Sequence, residues 1–261
     1  MEKKKVTILG YSIWRIFAYF IIYSFLGYAL ETLYSMIIHG VVESRQSFLY
    51  GPFCAIYGLG AVIMILFLQY FKKNNYTLFL GGFIVGSVVE YFTSLIGEYI
   101  LNIKWWDYSN NFLNINGRIC LLFSLFWGLI GLYLMKGINT YIDKFIEFIK
   151  AHFNQKVLKT SLAIEIIVLF LDCVVSGIAI DFYFTRMVKN FDLDVKNKEE
   201  ILAKYDKIYN DKELSLMIYK YWNDEKMIEI YPNLELELTN GTRVRLREYL
   251  PDIQPYYYKF N

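Results

Sequence analysis

Three carboxylates lie inside long apolar stretches of the sequence, where a charged side chain is costly. They are Glu31, Glu90 and Asp172. A charge at mid-bilayer costs on the order of 2.5–3.5 kcal/mol on the insertion scale, so such residues face a bundle interior, pair with a partner or take up a proton. These positions therefore favour either solute binding or proton exchange within a membrane, or a structural bond between helices.

A second group of polar and aromatic residues fills the segment 104–118, KWWDYSNNFLNINGR, between two apolar stretches. Interfacial tryptophans are common in membrane proteins, but they do not explain the acid, the asparagines and the arginine beside them. We predict that this segment and the shorter segment 39–52 cap one carboxylate-lined bundle, with Arg118 or Arg45 within reach of Glu31 or Glu90. The predicted cavity-lining residues are Glu31, Arg45, Tyr50, Glu90, Trp105, Trp106, Asp107, Tyr108, Asn116, Arg118 and Asp172.

The sequence carries no pattern typical of catalysis, metal binding or nucleotide hydrolysis. The three cysteines form no CxxC pair, and His39 and His152 each stand alone. The Gly-x4-Gly-Lys-Ser/Thr signature of a Walker-type ATP site is missing from the sequence. A net charge of +2 indicates no nucleic-acid partner. We predict no catalytic residue, no cofactor and no metal.

Five apolar runs must position these residues, in a chain that is 56% hydrophobic. Each is long enough to span a hydrocarbon core of ~30 Å. They cover about 16–38, 51–71, 77–101, 118–136 and 161–184. We therefore predict an all-α membrane protein, a bundle of five transmembrane helices in the plasma membrane. Residues 1–188 form the transmembrane domain, and the charged residues 189–261 form a small soluble α+β appendage.

The appendage contains a hairpin signal, Asn240-Gly241, within an alternating segment from Leu234 to Leu246. A two-residue turn would place the apolar side chains on opposite faces. A three-residue loop, 239–241, with a left-handed glycine instead sets Leu236 opposite Val244. Because burial of one face decides register, we predict the three-residue loop.

Positive charges set the predicted orientation, with the N-terminus in the cytoplasm. Five spans then place the appendage and both polar loops outside the cell, whereas a re-entrant fifth run would return the appendage to the cytoplasm. The connector 138–153 has apolar residues at helical spacing and lysines on other faces. It predicts an amphipathic helix at the cytoplasmic interface, either a simple surface helix or a docking surface for a cytoplasmic partner.

The first and third runs share a short pattern, Gly27-Tyr-Ala-Leu-Glu31 and Gly86-Ser-Val-Val-Glu90. Each following connector ends in Gly-x-x-Cys, at 51–54 and 117–120. We predict a twofold repeat of helix pairs, about 16–71 and 77–136. Parallel repeats occur in transporters, although a duplicated unit would serve equally well as a structural bundle.

Four segments resemble the bacterial family described as putative ABC-transporter type IV permeases. They are 49–60 (LYGPFCAIYGLG), 105–109 (WWDYS), 114–118 (NINGR) and 124–128 (SLFWG). The resemblance covers about residues 20–135, and Ala55 stands where a proline is expected. It implies membrane transport driven by a separate cytoplasmic ATPase subunit, which would dock near 138–153.

Three functions stay open from the sequence. The first is a permease or solute-binding membrane subunit with a polar cavity near the outer face. The second is a membrane-anchored sensor or interaction protein that uses the appendage. The third is a membrane enzyme acting on a lipid-linked substrate, with Glu31 and Asp107 as acid and base and Arg118 as anion binder. No nucleophile–base pair supports the third, so we favour a protein that is not an enzyme. The sequence specifies neither the substrate nor the oligomeric state.

Overall fold

A computed structural model describes residues 7–101 and 106–260 of the chain, so the predicted site residue Trp105 lies outside the described residues. The protein is mostly helical, at 69%. The helices are α1 (Ile13–His39), α2 (Ala55–Leu68), α3 (Asn75–Leu101), α4 (Leu121–Tyr133), α5 (Asn139–His152), α6 (Gln155–Asn190), α7 (Lys198–Tyr209), α8 (Lys212–Tyr221) and α9 (Asp224–Ile230). The strands are β1 (Thr7–Ile8), β2 (Tyr11–Ser12), β3 (Val41–Val42), β4 (Glu235–Glu237), β5 (Arg243–Arg245) and β6 (Tyr258–Lys259).

Four helical segments of the described chain are long and apolar enough to cross a membrane. They are Ile13–His39, Asn75–Tyr99, Leu121–His152 and Gln155–Asn190. The predicted span 51–71 corresponds to the shorter apolar helix Ala55–Phe71, which at 1.5 Å per residue reaches only about 25 Å. The protein is therefore a helical membrane protein with four candidate spans, and the fifth crossing remains a prediction.

The amphipathic connector is helical, and it continues directly from α4. A π-helical turn at Leu134–Ile138 joins α4 to α5 without a break. One extra residue per turn rotates the helix faces at this point. The uniformly apolar α4 and the amphipathic α5 can therefore face different neighbours along one continuous helical path.

The chain divides into two compact units. The first contains the described parts of Met1–Gly27 and Ala55–Ile167. Its buried core includes Tyr19, Ile65, Leu68 and Leu78, drawn from α1, α2 and α3. α3 and α4 pack closely because glycines face each other along their contact: Gly82 lies against the backbone of Gly128 and Gly131.

The second unit contains the described parts of Tyr28–Cys54 and Val168–Asn261. Its core joins the C-terminal half of α6 to α9 and the hairpin, through residues such as Ala179, Met187, Met227 and Leu246. Strand β3 pairs antiparallel with β6, so the C-terminal segment lies along the loop that follows α1. The domain boundary at 188/189 stays a prediction. Helix α6 continues past this position and ends at Asn190.

The predicted hairpin register is confirmed. Leu236 pairs with Val244, and Gly241 adopts a left-handed φ of 80°. The apolar residues of 201–222 recur at helical spacing, but this segment is divided between two helices, α7 and α8. Asp211 separates them because its carboxylate accepts hydrogen bonds from the first backbone amides of α8.

Candidate functional site

Glu90 occupies a buried position on α3 and is held by two aromatic donors. Its side chain is 7% exposed. Oε1 accepts a hydrogen bond of 3.0 Å from the Tyr108 hydroxyl, and Oε2 accepts one of 2.9 Å from the indole N–H of Trp127. Tyr108 belongs to the loop after α3, and Trp127 lies on α4. The loop and two helices thus meet at one carboxylate.

The loop that carries Tyr108 is fixed by its own hydrogen bonds. The backbone N–H of Tyr108 donates to the Gly117 carbonyl at 2.8 Å, and the indole of Trp106 donates to the Arg118 carbonyl at 2.9 Å. The Tyr108 ring stacks on Phe123, with centroids 4.5 Å apart. Burial and the nearby Glu90 raise the pKa of Tyr108 above its ordinary value, so its hydroxyl stays protonated and can donate.

Asp107 and Asn116 support this loop from its exposed side. The Asp107 carboxylate accepts from the backbone N–H of Ser109 at 2.9 Å and from the Ser109 hydroxyl at 2.5 Å. The amide of Asn116 donates to the Tyr91 hydroxyl at 2.9 Å. Both side chains therefore help to hold the loop in its conformation.

The two arginines bind carboxylates other than those predicted. Arg118 forms an ion pair with Glu98 of α3, and its guanidinium also lies 5.8 Å from the centre of the Tyr91 ring. Arg45 forms an ion pair with Glu43. We expected Arg118 or Arg45 within reach of Glu31 or Glu90, whereas the ion pairs of both arginines are with acids closer to their own loops.

In the second unit, Glu43 is the centre of a charged cluster that the sequence reasoning missed. It is 5% exposed. Besides Arg45, it contacts Arg247 at 3.5 Å and the Asn233 amide at 3.5 Å, and it accepts from the Ser35 hydroxyl at 3.4 Å. The available signal was that Glu43 is the single acid of the segment 39–50.

Asp172 of α6 is buried and binds the loop that contains Tyr50. Its Oδ2 accepts from the Tyr50 backbone N–H at 3.1 Å, and its Oδ1 accepts from the Ser176 hydroxyl at 3.2 Å. Ser176 in turn accepts from the Leu49 backbone N–H at 2.8 Å. Asp172 thus holds the backbone of the loop, while the Tyr50 side chain is exposed. Glu31, on α1, is partly exposed.

The structure brings together subsets of the predicted residues within each unit. In the first unit Glu90 joins Tyr108, and Asn116 lies near Arg118; in the second Asp172 joins the backbone of Tyr50. The missed residues are Trp127, Glu98 and Glu43. Trp127 had a signal, since it lies in the 124–128 segment used for the family resemblance. Among residues 7–101 and 106–260, no group of three or more His, Cys, Asp or Glu could hold a metal ion.

These features define a class: a multi-pass helical membrane protein whose spans carry buried carboxylates bound by loop and helix donors. Residues 18–177 match the family described as Putative ABC-transporter type IV. Because the match covers more than half of the 261-residue chain, the protein belongs to this family. No curated protein and no solved structure matches the chain.

Proposed function

We propose that the protein is the membrane subunit of an ABC-type permease and that it binds a polar solute at Glu90. The environment of this carboxylate carries the proposal. It lies within a candidate span, and its two donors, Tyr108 and Trp127, are both neutral. No Lys, Arg or His of the described residues lies within ion-pair distance of it.

A carboxylate has about four acceptor positions, and donors from the described part of the chain use two of them at Glu90. The remaining capacity suits a solute that presents a hydrogen-bond donor or a positive charge. An ionisable group inside a membrane is energetically costly, and such groups generally mark functional sites. The rigid Tyr108 loop would hold the carboxylate in one orientation for binding.

The helix-pair repeat extends the proposal to the other predicted residues, each within its own unit. Similar packing supports the repeat: Gly27 of α1 lies against Tyr57, as Gly86 of α3 lies against Trp127. Glu31 and Glu90 each follow their glycine by four residues, one helical turn. In this proposal Glu31 is the sequence counterpart of Glu90. Asp107, Asn116 and Arg118 shape the loop after α3, and Arg45, Tyr50 and Asp172 shape the loop after α1 in the second unit.

We place the N-terminus in the cytoplasm and the polar loops and appendage outside, following the positive charges. A separate ATPase would then dock on α5. This docking position is supported by an exposed aromatic face on α5, where Tyr141 is 71% and Phe148 is 57% exposed. Lys144 lies between them on the same face.

A ligand screen with matched variants tests the solute site. Purified protein is screened by thermal shift against a panel of metabolites, and each stabilising compound is repeated on Glu90→Gln, Tyr108→Phe and Glu98→Gln. We expect the shift to disappear in the first two and to persist in Glu98→Gln, since Glu98 serves Arg118. Uptake of the hit into membrane vesicles that contain the cognate ATPase then tests transport. Compounds that stabilise Glu90→Gln as well as the parent protein would contradict the site.

A sensor function is the second candidate, and the contacts of the C-terminal segment favour it. Glu43 binds Arg247, and β3 pairs with β6. A ligand that displaced this segment would act directly on the loop after α1. Val42 and Tyr258 are register partners, so Val42→Cys with Tyr258→Cys would lock the pair on oxidation. If the protein is a sensor, oxidation of this double variant should abolish its response and reduction should restore it. If the protein is a permease, solute uptake should continue in the oxidised state.

A further inference from the structure

A groove lies between α1, α5 and the first turns of α6, entirely within the first unit. Its volume is about 240 Å³. Most of its lining residues are apolar, among them Trp14, Ala18 and Ile22 of α1, Ile149 of α5 and Leu162 of α6. None of the residues of the Glu90 site lines it. The volume is below the ~300 Å³ at which pockets for drug-sized ligands begin, so the groove would hold part of a larger apolar molecule.

The groove runs along the axis of a candidate span. Trp14 and Ile22 are eight residues apart on α1, which is about 12 Å of helix. On α6 the lining continues from Gln155 to Leu162. Both helices thus line the groove from their N-terminal ends inward. An occupant must therefore place a polar end near the helix ends and an apolar end within the hydrocarbon region.

All charged residues that line the groove are cations. They are Arg15, Lys150 and Lys159. Outside the lining, Asp143 pairs with Arg15 at 2.7 Å and Glu147 pairs with Lys150 at 2.9 Å; Glu147 also lies 3.6 Å from Arg15.

Lys159 has no carboxylate within ion-pair distance among the described residues. It lies in the first turns of α6, where the Asn154 side chain caps the helix by accepting from the Lys156 amide at 2.8 Å. The mouth of the groove is therefore positive overall.

We propose that this groove binds an anionic phospholipid, with one acyl chain between α1 and α6 and the phosphate against Lys150 and Lys159. Basic pockets between membrane helices bind anionic headgroups through the same combination of charge and apolar depth. A zwitterionic lipid is a poorer occupant, because its quaternary ammonium would meet the free positive charge of Lys159. The site is separate from Glu90, so neither proposal depends on the other.

Trp14 provides a direct readout, because brominated acyl chains quench indole fluorescence on contact. The full chain is reconstituted in phosphatidylcholine vesicles that contain a small, equal fraction of brominated phosphatidylglycerol or brominated phosphatidylcholine. The Trp14 signal is obtained by subtracting the Trp14→Phe variant. We expect the anionic lipid to be preferred by about five- to thirtyfold, the range that one or two lysines near a membrane surface supply.

The double variant Lys150→Gln/Lys159→Gln should remove the preference, and Lys150→Arg/Lys159→Arg should keep it. A matched control is Lys72→Gln/Lys73→Gln, which removes the same charge from two exposed positions that do not line the groove. Ala18→Phe leaves every charge intact and fills the groove, so it should also abolish the preferential quenching, even if the lysine variant fails to fold.

Three results would overturn the proposal. The first is equal quenching of Trp14 by the two brominated lipids. The second is an equal loss of preference in the Lys72 and Lys73 control, which would show a general surface effect. The third is loss of the preference when inorganic phosphate is added at constant ionic strength, which would assign the lysines to a soluble anion.

Discussion

Arg186 is fully buried in the second unit, and its replacement should destabilise that unit strongly. It is 1% exposed and forms an ion pair of 2.5 Å with Asp224. It also donates to the Tyr209 hydroxyl and to the Trp222 carbonyl, each at 3.0 Å. Arg186→Met keeps most of the side-chain volume while removing every one of these donors.

The expected cost follows from what the substitution leaves behind. Removing one partner of a buried ion pair costs about 3–5 kcal/mol, because the other charge stays buried and unpaired. Asp224 is 27% exposed and keeps some water, so we take the lower half of the range, about 3–4 kcal/mol. Since about 1.4 kcal/mol is a factor of ten in an equilibrium constant, the equilibrium constant for local opening should rise roughly 150- to 700-fold.

Hydrogen exchange of the full-length protein measures this opening at the amides of α9, next to Trp222. The matched control is Lys204→Met, which breaks the ion pair of Lys204 with Asp181. That pair has the same N–O distance, 2.5 Å, but its side chains are 45% and 48% exposed. An exposed pair contributes only about 0–1 kcal/mol. Equal exchange rates in the two variants would refute the reasoning that burial sets the cost.

Three further substitutions, one of them with a matched control, test the packing and the loops. Gly86→Ala should lower the free energy of unfolding by about 1–3 kcal/mol, because the added methyl group overpacks α3 against α4; thermal unfolding measures the loss. The control is Gly60→Ala, which should be neutral or stabilising because its added Cβ meets no atom within 4 Å. Ser176→Ala removes the acceptor of the buried Leu49 amide and should cost about 1–3 kcal/mol, seen as faster exchange at that amide; unchanged exchange would contradict the role given to this serine. Gly241→Ala places a Cβ at a φ of 80° and should lower stability by about 1 kcal/mol, whereas no change in midpoint would show that the hairpin loop adapts.

Local patterns predicted much of the fold. Long apolar runs predicted helices because burial in a membrane requires each segment to satisfy its own backbone hydrogen bonds. The hairpin register was predictable because alternation and a left-handed glycine admit one arrangement. The pattern over 201–222 was helical, but Asp211 divides it, since a side chain that caps a helix start competes with continuation.

The candidate site was predictable in part. Glu90 and Tyr108 were both predicted, and they bind each other. Sequence spacing assigned Glu90 to a face of α3 but did not identify Trp127 as the residue opposite that face. The same limit explains Arg118, which was expected, like Arg45, within reach of Glu31 or Glu90 and which pairs on α3 with Glu98 instead of Glu90. The two acids are eight residues apart on α3, about two turns, so the choice depends on where the loop returns.

By itself, the sequence determined the membrane class, the approximate positions of the helices, the family motifs and the register of the hairpin, all of which depend on neighbours within one element. The tertiary structure alone decided which donors hold Glu90, that Arg45 pairs with Glu43, and that Asp172 binds a loop backbone. The physical reason is the separation along the chain between the groups that interact. Hydrophobic burial and backbone geometry act through nearby residues, whereas the energy of an ion pair or hydrogen bond depends on a few ångströms between segments far apart in the chain.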